Sequence, residues 1–298
     1  MAANTPMRIP DSELILTPEG SIYHLRLKPG EIADTIITVG DPDRVAMVSK
    51  YFDQIEVKAA HREFVTHTGL YKGRRISVIS SGIGVDNIDI VLNELDALVN
   101  IDFTTRSVKK ELTSLTLVRI GTSGAIQPDI PIDSFLMSRS AIGFDNLLHF
   151  YATEDELDTA FSEAFKKHTR WNNENASPYV VDADTSLLNL FTSEEMLEGI
   201  TGTNVGFYGP QGRILRLSLQ DTALNDKIAS FSYHGKKITN LEMETAAMYG
   251  LAKLMGHRAL SLNAIIANRA LGTFSGDSMR TIDRLIQYTL ETLVHEKF

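Results

Sequence analysis

The sequence predicts an α/β fold: a single domain of three layers, α/β/α, in which a central mixed sheet is flanked by helices. Apolar, β-branched runs alternate with helical patterns along the chain, and polar groups repeatedly follow the apolar runs. A length of 298 residues with 43% hydrophobic residues is enough for one large α/β core. Because no repeat, low-complexity tract or linker interrupts the pattern, we predict an N-terminal arm over residues 1–20 and one domain over residues 21–298.

Composition narrows the classes of function. The chain has no cysteine, which excludes disulfides, thiolate metal sites and cysteine nucleophiles. A net charge of −9 argues against a nucleic-acid partner, so an anion site has to be built from a local cluster of arginines. No apolar run reaches membrane-spanning length, and the N-terminus lacks the apolar core of a signal peptide. We therefore expect a cytoplasmic protein with neither membrane nor nucleic-acid partners.

The first third of the chain begins with a polar, proline-interrupted stretch, residues 1–30, which predicts an extended arm. Residues 34–39 predict a strand, and the following segment Gly40-Asp-Pro-Asp-Arg44 leads into a helix with proline near its start. A strand, a glycine and a helix N-terminus form an anion-binding geometry, to which Arg44 adds a charge. The same residues also describe an ordinary capped helix with an exposed arginine.

A hairpin and a second strand–glycine–helix unit follow. Residues 61–70 and 75–80 predict two strands joined by a turn at Gly73, with Arg62 as an edge-strand charge. Glycines over 80–84 precede a helix predicted from about residue 87 to 99. The polar residues 101–114 predict a surface connection.

The central stretch carries the first group of polar side chains that suits a ligand. Residues 115–118 predict a buried strand, which then breaks into a loop carrying Gly121, Thr122 and Gly124. Arg119 and Thr122 place a guanidinium and a hydroxyl at the carboxyl end of this strand, where ligands bind in open α/β sheets. Such donors suit a small oxyanion such as phosphate, although a surface arginine at a strand-to-loop corner has the same pattern.

Two further segments of the second half carry polar side chains. Residues 134–138 predict a strand, residues 154–170 an amphipathic helix, and residues 206–213 a glycine-rich loop. In this loop Phe207 can stack on a ring, while Gln211 and Arg213 can recognise an amide-like edge. A glycine-rich loop with an arginine is also common without any such role.

The last segments predict a strand-to-helix passage over residues 239–245, a strand over 259–267 ending in Asn268-Arg269, and a final helix over 279–296. Glu242 and Glu244 flank Met243 at the passage. Two carboxylates there can accept hydrogen bonds from a ribose diol, or they are first-turn acids that the helix dipole favours.

Together these motifs resemble the nucleoside phosphorylase-I family over roughly residues 21–295. The segments that carry the resemblance are Gly40-Asp-Pro-Asp-Arg44, His61-Arg-Glu-Phe64, Ser80-Ser-Gly-Ile-Gly84, Arg119-Ile-Gly-Thr-Ser-Gly-Ala-Ile-Gln-Pro128, Phe207-Tyr-Gly-Pro-Gln-Gly-Arg213 and Glu242-Met-Glu244. Each is weak alone, but six in family order are specific. The loop with Phe207, Gln211 and Arg213 resembles the uridine branch of the family.

The resemblance implies a pentosyltransferase that catalyses reversible phosphorolysis of uridine to uracil and ribose 1-phosphate in pyrimidine salvage. It implies phosphate binding by Gly40, Arg44, Arg62, Arg119 and Thr122, and ribose binding by His24, Thr122, Glu242, Met243 and Glu244. The resemblance also implies base binding by Phe207, Gln211 and Arg213, and catalysis by Arg119, Gln211, Arg213 and Arg269. His24 and Arg62 would complete the site of a neighbouring subunit, in a dimer or in a hexamer built as a trimer of dimers.

The resemblance implies no cofactor and no resident metal, with inorganic phosphate as a co-substrate. Some relatives place a monovalent cation near the glutamate matching Glu63, but Asn87 stands here where those relatives have a serine. The alternatives are a purine nucleoside phosphorylase, a nucleoside hydrolase and a non-catalytic nucleoside-binding protein. Asn268 argues against the purine alternative, because purine phosphorylases of the superfamily place an aspartic acid near this point.

Overall fold

A computed structural model describes residues 7–153 and 157–295 of the chain. The chain divides into two compact units. The first comprises residues up to Gly82 together with Ile90–Thr116, and the second comprises Ile83–Asp89 together with the residues from Leu117 onward.

The first unit is built on a four-stranded sheet. Its elements are β1 (Thr35–Val39), α1 (Pro42–Ser49), β2 (Gln54–His61), β3 (Phe64–Tyr71), β4 (Arg74–Ser80), β5 (Ile101–Asp102) and β6 (Ser107–Val108). Helix α2 (Val85–Asn100) begins in the second unit and continues in the first. The strand order is β1-β4-β3-β2, with β1 and β4 parallel and the other neighbours antiparallel. Helix α1 begins after its N-cap Asp41, as the motif predicts. It packs against β1, β3 and β4.

The N-terminal residues differ from the predicted extended arm. Leu14, Ile22, Leu25 and Leu27 are buried, and Leu16 pairs with Ile22 in an isolated antiparallel bridge. The Arg106 guanidinium donates to the backbone carbonyls of residues 9, 10 and 14. Apolar side chains at close spacing and one arginine therefore hold this segment against its own unit.

The second unit contains the remaining strands and helices. They are β7 (Thr116–Ala125), β8 (Phe135–Gly143), α3 (Thr159–Thr169), β9 (Tyr179–Asp182), α4 (Thr185–Phe191), β10 (Met196–Thr203), α5 (Leu224–Ser230), β11 (Ser232–Tyr233), β12 (Lys236–Glu242), α6 (Thr245–Leu254), β13 (Arg258–Asn268), β14 (Thr273–Phe274) and α7 (Ser278–His295). Its strand order is β11-β12-β10-β8-β13-β7, with β14 paired to β13 and β9 to β8.

An additional pairing between β12 and β7 closes five of these strands into a ring, β7-β13-β8-β10-β12. The closure is antiparallel and joins Gly124 to Leu241 and Ala125 to Asn240. Strand β10 runs parallel to β8 and β12, whereas β13 runs antiparallel to β8. The ring matters for function because each of its five strands contributes a polar side chain to one buried network.

The helices of the second unit cover its strands, with α6 packed against β8, β10 and β13, and α7 against β13. Phe144, Phe165, Ile228 and Phe231 form an apolar cluster on α3, α5 and the neighbouring strands. The predicted class, α/β with a mixed sheet flanked by helices, is confirmed. Among the described residues, no helix combines the length and apolarity needed to cross a membrane.

Several boundaries differ from the sequence-based predictions. Strand β2 was not predicted, although its side chains alternate between exposed and half-buried positions. The stretch 101–114, predicted as a plain connection, contains the short β5–β6 hairpin. The helix predicted from residue 154 begins at Thr159, and residues 154–156 lie outside the described residues.

Candidate functional site

Arg119 lies on β7 in the interior of the second unit and forms a buried ion pair. Its Nη2 is 2.6 Å from Glu244 Oε2 and 3.2 Å from Glu242 Oε2, and all three side chains are at most 7% exposed. Burial alone would lower the pKa of Arg119, but the two neighbouring carboxylates raise it above its ordinary value. The guanidinium is therefore a fixed positive charge, oriented by Glu242 at the end of β12 and by Glu244 at the start of α6.

The two acids differ in their surroundings. Glu242 accepts from the backbone N–H of Glu244 and of Thr245, where α6 begins, and from the Thr203 hydroxyl at 2.6 Å. This is the helix-start role that the first-turn alternative describes. Glu244 has the backbone N–H of Gly84 as its other donor, at 2.8 Å. Ribose binding by the two glutamates stays a prediction, and Glu244 is the better placed because fewer donors occupy its carboxylate.

Behind Arg119 lies a network of buried polar groups that the sequence did not reveal. Arg119 Nη1 donates to Ser261 Oγ and to Asn263 Oδ1, both at 3.3 Å. From Asn263 the hydrogen bonds continue around the ring of strands through Ser138, Thr201, Asn240 and Ser123. The network thus begins and ends on β7, which makes the strand carrying Arg119 rigid. Such residues give no local signal, because they come together only when the ring closes.

The glycines after Arg119 belong to the strand, so the predicted break into a loop at Gly121 is wrong. Strand β7 continues to Ala125 and pairs there with β12. A Cβ at Gly121 would lie 1.9 Å from Arg119 Nη1, and one at Gly124 would lie 3.4 Å from the Arg269 side chain. These positions are glycine because arginine side chains lie across the strand, not because the backbone turns.

Thr122 and Met243 lie close in sequence to this ion pair and are only partly buried. Thr122 is one residue beyond the glycine that Arg119 covers, and Met243 separates the two acids. No hydrogen bond engages the Thr122 hydroxyl within the described part of the chain, which leaves it available to a ligand. Their roles in phosphate and ribose binding remain predictions.

The glycine-rich loop contains a short 3-10 helix, Gly209–Gln211, and forms a second cluster of polar groups. Arg213 Nη1 donates to Gln211 Oε1 and to the Phe207 carbonyl, both at 2.6 Å, and its guanidinium carbon lies 3.7 Å from the centre of the Phe207 ring. Gln211 is buried, whereas Phe207 is 51% exposed. The three residues predicted to bind the base are therefore together in one preorganised cluster.

Arg269 links this cluster to β7. Its backbone N–H donates to Ala125 O at 2.8 Å, and its Nη1 donates to the Gln211 carbonyl. Burial and, to a smaller extent, the charge of Arg269 together lower the pKa of Arg213 to about 10. Burial also lowers the pKa of Arg269. Two guanidiniums thus lie close enough to repel each other, around a single glutamine.

Asn268 has a structural role that the sequence did not indicate. Its Nδ2 donates to the carbonyls of Gln127 and Ile130, at 2.9 and 2.8 Å, and its Oδ1 accepts from the Leu271 N–H at 3.1 Å. The side chain is buried and all of its polar atoms are engaged. It clamps the loop that follows β7, so its identity says less about the base than we inferred from the sequence.

The first unit holds the remaining predicted residues. Gly40 and Arg44 lie where β1 passes into α1, and a Cβ at Gly40 would lie 3.4 Å from the Gly82 carbonyl. Arg62 is not an edge-strand residue as predicted: it occupies the tight turn between β2 and β3, where it is exposed with φ of 55°. His24 lies on the N-terminal segment, with its ring against Glu94 of α2. Phosphate binding by the first three and ribose binding by His24 stay predictions.

Comparison with known proteins shows that this chain is similar to nucleoside phosphorylases. A model of the phosphorylase superfamily matches residues 34–293. A uridine phosphorylase of Thermococcus kodakarensis is 32% identical over 268 residues, which are 87% of this chain and 81% of that protein. A DeoD-type purine nucleoside phosphorylase of Geobacillus kaustophilus is 29% identical over 276 residues, which are 91% of this chain and 97% of that protein.

A solved structure shows that the similarity extends to the fold. The crystal structure of a Trypanosoma brucei nucleoside phosphorylase, described as showing uridine phosphorylase activity, superposes with a TM-score of 0.84. The two chains are 30% identical, and the match covers 95% of this chain and 100% of the other. The similarity therefore extends over nearly the whole α/β architecture.

Proposed function

Because this chain belongs to the phosphorylase superfamily, we propose that it is a uridine phosphorylase, a pentosyltransferase acting on a nucleoside and inorganic phosphate. It converts uridine and phosphate reversibly into uracil and ribose 1-phosphate. The relative named uridine phosphorylase is more similar to this chain than the relative named purine nucleoside phosphorylase, at 32% against 29% identity. The Trypanosoma brucei structure described as having uridine phosphorylase activity supports the same substrate.

The observation that carries the uridine assignment is the pair of arginines around Gln211. Burial and the charge of Arg269 lower the pKa of Arg213, and neither arginine has a carboxylate partner within the described part of the chain. Two unpaired guanidiniums at one loop favour an anion. Uracil leaves the sugar as an anion with its charge spread over the carbonyl oxygens, and these preorganised donors stabilise that charge as it develops.

The chemical step is a displacement at C1′ of the ribose. The C1′–N1 bond breaks with its electron pair going to uracil, and a phosphate oxygen forms the new bond to C1′. Uracil takes up one proton as it is released, and phosphate loses one proton in forming its ester, so the protons balance. The sugar carries positive charge in the transition state, which the phosphate on one face and a carboxylate at the diol stabilise.

The described residues fit the three parts of this reaction. Arg119 and Thr122, which both lie on β7, supply hydrogen-bond donors for phosphate. Glu244, which is hydrogen-bonded to Arg119, accepts hydrogen bonds from the ribose hydroxyls. Gly40 and Arg44, at the start of α1 in the first unit, have the strand–glycine–helix geometry that suits phosphate, and their role in binding it stays a prediction. The hydrogen bond between Arg119 and Glu244 links the phosphate and ribose subsites, so each substrate orients a group that the other needs.

We also propose that the chain works as a homo-oligomer, in which Arg62 completes the phosphate site of a neighbour and His24 meets the 5′-hydroxyl of the nucleoside bound there. The position of Arg62 supports this proposal, because the residue is exposed at a turn where a second copy of the chain can contact it. The cytoplasm remains the proposed compartment, and phosphate remains a co-substrate of an enzyme without a cofactor.

The proposal is tested with a panel of nucleosides. Purified protein is incubated with uridine, thymidine or inosine, with and without inorganic phosphate, and the released base is quantified. We expect uracil from uridine only when phosphate is present. Base release without phosphate would identify a hydrolase, faster release from inosine a purine phosphorylase, and no turnover a nucleoside-binding protein.

A further inference from the structure

The proposed reaction as described so far gives no role to Glu94, although its carboxylate contacts His24 in the first unit. The Glu94 carboxylate accepts from the backbone N–H of His24, at 3.0 and 3.1 Å, and from that of Leu25, at 2.8 Å. It also lies 2.6 Å from His24 Nδ1. A single side chain of α2 thus holds both the backbone and the imidazole of this N-terminal residue.

The imidazole is held on its other sides as well. The Tyr23 ring meets it edge-on, with centroids 4.9 Å apart, and Phe64 lies edge-on at 6.3 Å. His61 Nδ1 donates to the His24 carbonyl at 3.0 Å. The His24 side chain is nevertheless 25% exposed, and no hydrogen bond to its Nε2 occurs within the described residues. One edge of the ring is fixed and the opposite edge is open.

This geometry determines which ring nitrogen carries the proton. A carboxylate is only an acceptor, so Nδ1 must donate its hydrogen to Glu94, and the neutral ring then has its lone pair on Nε2. The open nitrogen is an acceptor that suits a hydroxyl donor. From this arrangement we infer that Glu94 is a positioning residue, which orients His24 and sets its tautomer so that Nε2 accepts the hydrogen bond of the nucleoside 5′-hydroxyl. The choice of ligand rests on the proposed function.

Kinetics with two substrates test the inference. Glu94→Ala should lower kcat/KM for uridine about tenfold, roughly the worth of one hydrogen bond, and mainly through KM. The same variant should leave kcat/KM for 5′-deoxyuridine, which lacks the hydroxyl, within about twofold of wild type. Glu94→Gln, which keeps one accepting oxygen, should fall between. Glu111→Gln, a change of an exposed glutamate in the same unit, is the matched control. Equal losses with both substrates would show that Glu94 merely holds the fold, and would overturn the inference.

A double-mutant cycle separates action through His24 from any other action. If Glu94 works through the imidazole, His24→Ala combined with Glu94→Gln should be no slower with uridine than His24→Ala alone. Losses that multiply in the double variant would contradict the inference.

A second readout does not depend on activity. In protein carrying 15N-labelled histidine, long-range 1H–15N correlation should show His24 protonated at Nδ1, with His24→Ala identifying its signals. In Glu94→Gln, which keeps the backbone contacts best, this preference should weaken. Should wild-type protein fail to cleave uridine, the proposed function falls, while this spectrum still decides whether Glu94 sets the tautomer. Protonation at Nε2 in the wild type would refute the inference.

Discussion

Arg119 and Glu244 form an ion pair 2.6 Å long in the interior of the second unit, with both side chains at most 7% exposed. The pair joins the residue proposed to bind phosphate to the residue proposed to bind ribose. Burial raises the pKa of Glu244, against the opposing effect of the Arg119 charge. The Glu244 carboxylate therefore depends on Arg119 for its charged state, and stability and catalysis are coupled at this point.

Replacing Arg119 with methionine should abolish uridine phosphorolysis and also lower the free energy of unfolding by about 3–5 kcal/mol, because Glu244 is left buried without its partner. The measurement is chemical denaturation beside the activity assay. Nothing in the local sequence shows that Arg119 belongs to a buried pair, so the expected effect on folding follows from the structure alone.

The matched control for this prediction is the double variant Arg119→Met with Glu244→Gln. It should regain part of the lost stability while remaining inactive, because the one buried acid that then loses its arginine is Glu242, which keeps hydrogen bonds from Thr203 and from the backbone at the start of α6. Wild-type stability of the single variant would contradict the account of the pair.

Gly121→Ala should displace the Arg119 guanidinium, since the new methyl group would lie 1.9 Å from Nη1. We expect a loss of about 1–3 kcal/mol in the free energy of unfolding, typical of overpacking, together with a raised KM for phosphate. Gly276→Ala, where no atom lies within 4 Å, serves as the control and should behave like wild type. If both alanine variants keep a normal KM for phosphate, the strand does not hold Arg119 as described.

Arg213→Ala should reduce kcat for uridine about 10²–10³-fold, the usual cost of removing one preorganised donor to a developing charge. Any residual turnover of inosine should fall much less, since a purine does not present the same carbonyl oxygen. Steady-state kinetics with both nucleosides provide the comparison. The exposed neighbour Arg216, changed to alanine, controls for the loss of one positive charge. Equal losses on both nucleosides would remove Arg213 from base recognition.

Asp145 predicts a pH-dependent change of stability. Burial raises the pKa of this carboxyl, although the Tyr179 hydroxyl donates to both of its oxygens, at 2.8 and 2.7 Å. The pKa of Asp145 is higher in the folded state than in the unfolded state. The contribution of this carboxyl to stability is therefore fully present below its unfolded pKa, and it is lost as pH rises through its folded pKa.

In Asp145→Asn this loss should be absent, so the stability of the variant relative to wild type should grow as pH rises from acid and then level off. Denaturation curves across the acidic range provide the test, with the exposed Asp129→Asn controlling for the missing charge. A difference that shrinks with rising pH would show that the carboxyl is stabilised as the anion.

The sequence was most informative where a local pattern determines the structure. The strand–helix unit around Asp41, the hairpin turn at Gly73 and the passage from β12 into α6 all follow from caps, glycines and periodicity. Their ends and the order of the motifs were enough to infer the class of fold and a family. Strand β2 also has a local signal, because its apolar and polar residues alternate over Gln54–His61, but the predicted strands did not include it.

What the sequence could not supply is long-range. Glycines 121 and 124 suggested a loop because nothing in the local sequence shows that Arg119 and Arg269 cross the strand there. The asparagine side chains at 263 and 268 are buried partners of distant groups, and Glu94 meets His24 across 70 residues. Such contacts depend on tertiary packing and leave no periodic or motif signal.

The central claim is that a phosphate oxygen, and not water, replaces uracil at C1′ of the ribose. The most direct measurement is 31P NMR of the wild-type protein mixed with uridine and inorganic phosphate. We predict that a ribose 1-phosphate resonance grows in step with the loss of phosphate and the release of uracil. Uracil release with an unchanged phosphate signal would contradict the account, because the arginines would then serve a reaction other than phosphorolysis.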